Sequence, residues 1–367
     1  MSQMIDFTLP SCQPGRTLHA FRCVPEGEVR AVLQLSHGMV EFIDRYKPLA
    51  ENLAARGILV TGNDHLGHGG SIRTKEDYGY FGEPDGNRAV LEDLHAVTTL
   101  TKQLYPGVPN FLLGHSMGSF IAREFAAAYG NSLTAVVFMG TSAGISTAMW
   151  KAERTYLNML KKAKGARAKI PSLEKIATGP YNKKFKPNRT NYDWVTSKEE
   201  EVDRFVNDPL CGFPLTVQGY IDLGTLLYAI NTDQWYRRVP KALPILLISG
   251  ENDPVGDMGK GVRRVFDKLN KTGHDVKLTL YPRIRHALIT EMNSAQVYED
   301  LYAFFSSHLP KAEEPVYEKE TEAEPKVSTE TEKSVENPAA EEEKETEAAA
   351  AEKYDDMPEE NAELPVI

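Results

Sequence analysis

A serine stands between two glycines near the first third of the chain, in Gly114-His115-Ser116-Met117-Gly118. A short apolar run at 111–113 precedes it, and a stretch of helical character at about 117–129 follows it. On such a tight strand-to-helix turn a serine has a strained backbone and an exposed hydroxyl, and flanking glycines let neighbouring backbone pass close. The pattern therefore predicts Ser116 as a nucleophile.

A serine hydroxyl becomes a good nucleophile only when an imidazole accepts its proton and a carboxylate fixes the imidazole tautomer. On this kind of turn the three groups follow one another along the chain as Ser, then Asp or Glu, then His. Three histidines follow Ser116, namely His274, His286 and His308. Only His286 lies on a loop between a predicted strand and the last predicted helix, so we predict His286 as the base.

The carboxylate is expected in the loop after the predicted strand 245–249, which reads Gly250-Glu251-Asn252-Asp253-Pro254. We predict Asp253, with Glu251 as its rival, because Pro254 holds the residue before it in an extended conformation and helps to fix the turn. The alternative is that Asp253 only caps a helix that begins near Asp257.

An oxyanion hole needs two backbone N–H groups that point at the same oxygen. Met117 is predicted to supply one, because its amide lies at a helix N-terminus and has no acceptor within the helix. Met39 is predicted to supply the other, from the loop His37-Gly38-Met39 that follows an early strand. We expect His37 and Glu41 to hold this loop and not to take part in the chemistry.

A second loop, Asp64-His65-Leu66-Gly67-His68, contains residue types that bind metals. Its spacing would allow two ligands, but its place at the exit of a strand favours a structural loop tied by hydrogen bonds. The nearby glycines lack the dinucleotide and phosphate-loop patterns, and the three cysteines have no metal-binding spacing. We therefore expect neither a metal nor an organic cofactor.

Apolar strands alternate with helical stretches over most of the chain. Strands are predicted at 17–24, 31–36, 58–62, 111–113, 133–139, 245–249 and 276–281, and helices at about 46–56, 87–105, 117–129 and 294–308. Continuous apolar strands separated by helices indicate an α/β fold, with a mostly parallel sheet covered by helices on both faces. The first strands have no helix between them, which predicts an antiparallel edge.

The alternation stops between about 141 and 234, where the sequence is helical and polar. We predict a core formed by residues 1–140 and 235–310, a helical lid inserted at 141–234, and an acidic, low-complexity, disordered tail at 311–367. The tail has 20 acidic and 6 basic residues, while the whole chain of 367 residues has a net charge of −10. So few apolar residues cannot offset the chain entropy lost on folding. The acidic balance therefore belongs to the tail, and we expect no nucleic-acid partner.

The sequence has neither an N-terminal leader pattern nor a run of about 18 apolar residues, which predicts a cytoplasmic protein with reduced thiols. Between positions 150 and 189 the lid has 12 basic residues and only two acidic ones, Glu153 and Glu174. Apolar residues such as Tyr156 and Met159 are interleaved with them. Such a segment can lie on an anionic lipid surface, or it can be a solvated cap whose apolar side chains pack on the domain. The sequence leaves both open, as it does the oligomeric state.

Five motifs in series resemble one enzyme family. In chain order they are His37-Gly38-Met39-Val40-Glu41 with Arg45-Tyr46, Asp64-His65-Leu66-Gly67-His68-Gly69 with Ser71, the Ser116 turn, the Asp253 loop, and Tyr281-Pro282 with Arg285-His286. Over residues 15–309 the chain resembles the monoacylglycerol lipase and lysophospholipase branch of the α/β-hydrolases, which is also similar to serine aminopeptidases.

The resemblance implies an α/β-hydrolase fold, a catalytic triad of Ser116, Asp253 and His286, and an oxyanion hole at the amides of Met39 and Met117. It also implies a serine carboxylic-ester hydrolase that cleaves a small lipid ester, a lysophospholipid or a monoacylglycerol, through an acyl-enzyme and without a cofactor.

Two other functions stay open. One is serine aminopeptidase, proline iminopeptidase-like or thioesterase activity, and the other is a catalytically silent scaffold that uses the acidic tail. An aminopeptidase should hold a free amine with carboxylates in its pocket. The sequence does not determine whether Glu199, Glu200, Glu201 or Asp222 lies there.

Overall fold

A single eight-stranded sheet organises residues 2–310, which are the residues described by this computed structural model. The predicted acidic tail lies outside the described residues. The strands are β1 Gln3–Pro10, β2 Thr17–Val24, β3 Ala31–Ser36, β4 Ile58–Asn63, β5 Asn110–His115, β6 Ala135–Met139, β7 Ile245–Gly250 and β8 Val276–Tyr281. Their order is β1-β2-β4-β3-β5-β6-β7-β8. Strands β1, β2 and β4 pair antiparallel, and all further neighbours pair parallel, so the predicted antiparallel edge is confirmed.

Ten α-helices connect and cover these strands within the described residues. They are α1 Lys47–Ala54, α2 Gly86–Leu104, α3 Met117–Tyr129, α4 Thr147–Lys164, α5 Pro171–Ala177, α6 Glu199–Asn207, α7 Val217–Ala229, α8 Asp233–Arg238, α9 Lys260–Lys271 and α10 Ser294–Ser306. None of the helices in residues 2–310 is both long and apolar enough to cross a bilayer.

The central strands are buried along their whole length, which is why their sequences are apolar without alternation. Successive side chains of a strand point to opposite faces of the sheet. Leu112 thus packs in a core with α2, α3, α7 and α9, whereas Phe111 and Leu113 pack in a second core with α1 and α10. Helices cover both faces, and the predicted α/β-hydrolase architecture is confirmed.

The structure differs from the sequence-based elements in one missed strand and in several element ends. Strand β1, which the sequence analysis did not predict, pairs with β2 along its full length from Gln3 opposite Val24 to Pro10 opposite Thr17. It is an edge strand with mostly half-buried and exposed residues, so its apolar signal is weak. The helix expected near Asp257 begins at Lys260, and the last helix ends at Ser306 instead of His308.

Helices α4 to α8 all lie between β6 and β7, in the segment predicted as a lid. The backbone pairing described there outside helices is one isolated antiparallel bridge between Lys169 and Thr216. Helix α4 packs by Trp150 and Leu157, and it makes its largest set of contacts with α7. Residues 2–310 belong to one compact unit, so the boundaries between core and lid stay a prediction.

Candidate active site

Ser116 occupies the turn between β5 and α3, with φ 54° and ψ −122°, a backbone conformation that L-residues rarely adopt. Close backbone approaches hold it there. A Cβ at Gly118 would lie 2.0 Å from the Ser36 carbonyl oxygen, and a Cβ at Gly114 would lie 2.2 Å from the Gly118 carbonyl oxygen. The Ser116 amide donates to the Met139 carbonyl at 3.0 Å. The glycines on both sides of the turn are therefore required by contact with neighbouring backbone.

Asp253 and His286 meet at this edge of the sheet, one after β7 and the other after β8. His286 Nδ1 is 2.9 Å from Asp253 Oδ2, and both side chains are buried. The Val255 amide and the Ser249 hydroxyl donate to the same carboxylate, at 2.9 and 3.2 Å. The carboxylate is thus fixed by three donors, which directs His286 Nδ1–H toward Asp253 and leaves Nε2 to accept a proton.

The competing residues lie elsewhere. Glu251 is exposed to solvent. His274 bonds through Nε2 with the Val239 carbonyl, and His308 bonds with the Phe304 carbonyl. Of the predicted acids and bases, the structure therefore brings together Asp253 and His286.

Ser116 and His286 line the same cavity, and Ser116 is half-buried. In the part of the chain that the structure describes, the Ser116 hydroxyl forms no hydrogen bond with His286. Catalytic hydrogen bonds are often loose in a site without substrate and tighten in the complex. The assignment of the triad stays a prediction.

The amides of Met39 and Met117 are the predicted donors of the oxyanion hole. Both residues line the larger cavity next to the serine. Within residues 2–310 neither amide has a hydrogen-bond acceptor outside regular helices and strands, and Met117 is the first residue of α3. Such free donors are what an oxyanion requires, although their role also stays a prediction.

The loop that bears Met39 is held by a buried carboxylate. Glu41 Oε1 accepts the Gly38 amide at 2.7 Å and the Tyr46 hydroxyl at 2.8 Å, and its Oε2 accepts Arg45 Nε at 3.2 Å. Burial alone would raise the pKa of Glu41, but His115 and Arg45 beside it hold that pKa well below its usual range. Glu41 is therefore a charged anchor of the loop and is not available as a proton donor.

Two fully buried histidines hold the same loop from its other side. His37 Nδ1 lies 2.8 Å from the Gly38 carbonyl, and its Nε2 accepts the His65 amide at 2.9 Å. His68 Nε2 accepts the Val40 amide at 3.1 Å, and its Nδ1 lies 3.1 Å from the Leu66 carbonyl. Each ring thus uses one nitrogen as donor and the other as acceptor, which only a neutral imidazole can do. Burial lowers the pKa of His37, and it lowers that of His68 to about 3.

Asp64 ties the neighbouring loop in the manner expected of a structural motif. Its carboxylate accepts the amides of Ile43 and Gly70, both at 2.7 Å, and lies 3.0 Å from His19 Nδ1. The His65 ring bonds through Nε2 with the Ser36 hydroxyl at 2.9 Å. The Asp64 carboxylate, both nitrogens of His68 and His65 Nε2 are therefore used in hydrogen bonds, whereas His65 Nδ1 is buried without a hydrogen-bond partner among the described residues.

One other group of residues has the spacing of metal ligands. Ligand atoms of Asp6, His19 and Asp44 lie within 4.8 Å of one another. The Lys47 ammonium, however, lies 2.7 Å from Asp44 and 3.7 Å from Asp6. Because a cation already balances these carboxylates, the cluster carries no functional assignment.

Two cavities meet at Ser116 and Met39. The smaller has a volume of about 50 Å³ and the larger about 600 Å³. The smaller is lined by aromatic rings and polar groups, including Glu174, Tyr192, Trp194, Phe205, Phe213, Tyr220 and His286. The larger is lined mostly by apolar residues of α3, α4, α5 and α7, including Phe120, Met149, Leu157, Leu173, Leu223 and Leu227.

The sequence analysis missed the lid residues that shape the site. The Val195 carbonyl accepts the amides of His286 and Ala287, at 3.1 and 2.7 Å, so a lid segment positions the histidine loop. The Trp194 ring lies 5.2 Å from the His286 ring. No motif marks these positions, because they act through a backbone carbonyl and through ring packing.

Known proteins are similar to this chain over most of its length. The family profile described as serine aminopeptidase, S33, matches residues 27–293. Monoacylglycerol lipase of Mycolicibacterium smegmatis is 26% identical over 289 residues, covering 78% of this chain and 91% of that protein. Human monoglyceride lipase is 30% identical over 278 residues, covering 73% of this chain and 79% of that protein. The structure of a thermostable carboxyl esterase from Bacillus coagulans in complex with glycerol has a TM-score of 0.78 and 28% identity, covering 84% of this chain and 99% of that chain.

The buried neutral histidines predict an acid-sensitive fold. Below the usual histidine pKa of about 6.5 the unfolded chain binds protons that buried His68 does not, so stability should fall as the pH drops from about 6.5 toward 3. Each such histidine contributes a slope of at most about 1.4 kcal/mol per pH unit. His68→Gln keeps an acceptor for the Val40 amide and does not titrate. We therefore expect a shallower slope for this variant in urea unfolding between pH 6 and 4.

His308→Gln is the matched control, because this side chain lies at the end of α10 and holds no part of the Met39 loop. Its slope should equal that of the unmodified chain. Equal slopes for His68→Gln and the unmodified chain would contradict the prediction.

Proposed function

The chain belongs to the serine aminopeptidase S33 family of α/β-hydrolases and is a serine-type hydrolase, and we propose that it cleaves monoacylglycerols at Ser116. One observation carries the proposal: the serine lies where a large, mostly apolar cavity meets a small one whose lining includes the Glu174 carboxylate and the tyrosines Tyr192 and Tyr220. An ester of one fatty acid with a small alcohol likewise has one long apolar part and one small part. With each part in the matching cavity, the ester bond would lie at Ser116.

The volumes of the two cavities agree with such a substrate. A cavity of about 600 Å³ is within the range of pockets that hold drug-sized ligands, and its apolar lining suits an acyl chain. A volume of about 50 Å³ has room for roughly four water molecules, which is the size of a small polyol. The curated relatives named monoacylglycerol lipase and monoglyceride lipase support the same assignment.

In the proposed reaction the Ser116 oxygen attacks the ester carbonyl while His286 Nε2 takes the hydroxyl proton. The amides of Met39 and Met117 stabilise the negative oxygen of the tetrahedral intermediate. The C–O bond to the alcohol then breaks, and His286 returns the proton to the leaving glycerol. Water attacks the acyl-enzyme by the same route, and the fatty acid leaves.

The charge of the smaller cavity favours a neutral alcohol over a phosphorylated one. Glu41 and Glu174 line it, and no lysine or arginine among the described residues does so. The Glu41 charge is balanced by Arg45, at 3.2 Å, whereas within residues 2–310 the Glu174 carboxylate accepts only the Tyr192 hydroxyl, at 2.8 Å. A phosphate beside Glu174 would be repelled. Of the two substrates that the sequence left open, monoacylglycerol is therefore preferred to lysophospholipid.

Hydrolysis of a matched set of substrates tests the reaction. The set comprises 1-monooleoylglycerol, oleoyl lysophosphatidylcholine, oleoyl-CoA, p-nitrophenyl esters and an aminoacyl-p-nitroanilide. We expect turnover of monooleoylglycerol and of the p-nitrophenyl esters, and a loss of about 10⁴-fold or more in kcat for Ser116→Ala. Ser119→Ala is the control. Ser119 lies on α3, its hydroxyl donates to the Ser116 carbonyl at 2.6 Å, and it lines neither cavity. Full activity of Ser116→Ala would contradict the proposal.

Head-group charge gives a separate prediction. For one acyl chain, kcat/KM should be at least about tenfold lower for lysophosphatidic acid than for monoacylglycerol, because like charges are brought together at Glu174. Glu174→Gln should narrow that ratio, whereas Tyr192→Phe, which removes the hydrogen bond to Glu174 but no charge, should not. An equal or higher kcat/KM for lysophosphatidic acid in the unmodified chain would exclude the preference for a neutral alcohol.

Aminopeptidase activity is the second candidate, and Glu174 is the observation that favours it. A half-buried carboxylate beside Ser116 could hold a free amine. Asp222, which the sequence offered for this role, is buried on α7 and lines neither cavity. Hydrolysis of the anilide alone in the same set of substrates would make this the better assignment.

We also propose that the lid docks on lipid surfaces. Helices α4 and α5 expose large apolar side chains, namely Met149, Tyr156, Met159 and Ile176, and three of these line the larger cavity. Basic residues of α4 stand beside them. The apolar residues interleaved with the basic ones differ in exposure: Leu157 is buried, whereas Tyr156 and Met159 are exposed. Lys161 is also engaged inside the protein, at 2.5 Å from Glu83 and 2.7 Å from Gln218.

Vesicle binding tests the docking surface. Lys162 and Lys164 are the lysines to neutralise, since Lys161 is engaged elsewhere. A surface lysine contributes about 1 kcal/mol to binding of anionic membranes, or about fivefold in partitioning. The double variant Lys162→Gln, Lys164→Gln should therefore bind phosphatidylglycerol vesicles about 30-fold less well, and Met159→Ser should weaken binding further. Met292→Ser removes an equally exposed apolar side chain outside the lid and should have no effect. Unchanged binding of the double variant would exclude docking through the basic lid.

A further inference from the structure

Arg123 is a fully buried arginine on α3, two helical turns after Ser116. Its guanidinium lies 4.3 Å from the centre of the Trp235 ring, and the Trp235 indole N–H donates to the Arg123 carbonyl at 2.7 Å. An arginine stays charged in proteins, and burying such a charge is expensive unless its donors are satisfied. The position of Arg123 therefore calls for an explanation in terms of its partners.

Those partners are the two ends of the lid segment. Arg123 Nη1 donates to the Ser142 carbonyl at 2.8 Å, three residues after β6 ends. Its Nη2 donates to the Ile230 carbonyl at 2.7 Å, directly after α7. One guanidinium thus bonds the chain both where the chain leaves the sheet and where it returns to it. Arg123 thereby connects both points to α3, the helix that follows Ser116.

The two ends also bond to each other, and we call residues 142–145 and 227–231 the neck. The Ile145 amide donates to the Leu227 carbonyl at 3.2 Å, and the Asn231 side chain donates to the Ile145 carbonyl at 2.9 Å. Gly144 has φ 80°, and a Cβ there would lie 2.4 Å from the Leu227 carbonyl oxygen. The neck is therefore a tight pairing of two backbone segments that leaves no room for a side chain at Gly144.

The charge of Arg123 is balanced by carbonyl groups. The hydrogen bonds of Nη1 and Nη2 go to backbone oxygens, and the Ile230 carbonyl lies at the C-terminal end of α7, where the helix dipole is negative. The Nε atom is buried and has no hydrogen-bond partner among the described residues. Burial lowers the pKa of the guanidinium, and interactions with Tyr236 and Glu124 oppose this. Moving either neck segment away would remove one of the two carbonyl acceptors of this buried charge, which is unfavourable.

The neck forms part of the wall of the larger cavity. Ser142, Ile145 and Leu227 line it together with Ser116 and Phe120 of the nucleophile turn and α3. We infer that Arg123 is a positioning residue that clamps the neck and thereby fixes the distance between this wall and Ser116. The inference rests on the proposed acyl-ester hydrolysis, and it assigns to Arg123 the selection of acyl-chain length. Movements of the lid are then confined to its outer part.

A chain-length profile tests the clamp. For Arg123→Met and Arg123→Lys, kcat/KM is measured with p-nitrophenyl esters from acetate to palmitate, and hydrogen exchange is followed at the Ile145 amide. The ratio of kcat/KM for palmitate to that for butyrate should fall about tenfold in Arg123→Met, because a palmitoyl chain fills more of the cavity that the neck borders than a butyryl chain does. Lysine can reach one carbonyl at a time, so Arg123→Lys should fall between Arg123→Met and the unmodified chain. Exchange at Ile145 should be faster in both.

Phe125→Leu is the matched control, because Phe125 is buried on the same helix and lines neither cavity. It should lower stability without changing the ratio. An unchanged ratio and unchanged exchange at Ile145 in Arg123→Met would overturn the clamp. If Arg123→Met does not fold, Arg123→Lys decides by the same two measurements. An unmodified chain without esterase activity would instead reject the proposed function, so the two failures are distinguishable.

Discussion

The strained backbone of Ser116 is the constraint on which the rest of the site depends. A residue in that conformation persists only when its surroundings over-determine it. Here the Ser36 and Gly118 carbonyls lie so close that only glycine fits on either side of the turn. Strand β3, strand β5 and helix α3 are therefore locked together at one point. The loop that bears Met39 follows directly from β3, so the same contact sets the position of Met39 relative to the serine.

The ionisable side chains that hold the two sides of that loop are buried in different charge states. Glu41 is buried as an anion among hydrogen-bond donors and Arg45, whereas His37 and His68 are buried as neutral rings with one nitrogen donating and the other accepting. In both cases, each side-chain atom that bonds the backbone of the loop has a hydrogen-bond partner. A backbone amide can serve as an oxyanion donor only if it does not turn toward another acceptor. With this network in place, the Met39 amide of the loop has no backbone acceptor among the described residues.

The sequence predicted the parts of this structure that follow from chain order and periodicity. The parallel strands, the helix after Ser116 and the meeting of Asp253 with His286 are all local patterns placed at one sheet edge by topology. Strand β1 was missed because an edge strand has little apolar signal. Arg123 was missed because an arginine on a helix is usually exposed, and only the tertiary structure reveals that backbone carbonyls 19 and 107 residues away are its partners. The two cavities could not be predicted for the same reason, since five helices, α3 to α7, contribute to their walls.

The hydrogen bonds of Arg123 also bear on how far the lid is a module. An insertion is commonly treated as a part that can be exchanged between relatives at its two junctions. Here both junctions accept hydrogen bonds from the Arg123 side chain, which belongs to the core. The two junctions also contact each other, because Gly144 packs against the Leu227 carbonyl. A graft cut inside the neck would separate the guanidinium from its acceptors. A lid exchanged between relatives should therefore be cut outside residues 142–231. A lid transferred together with its neck should keep these hydrogen bonds only in a host that has an arginine at the position of Arg123.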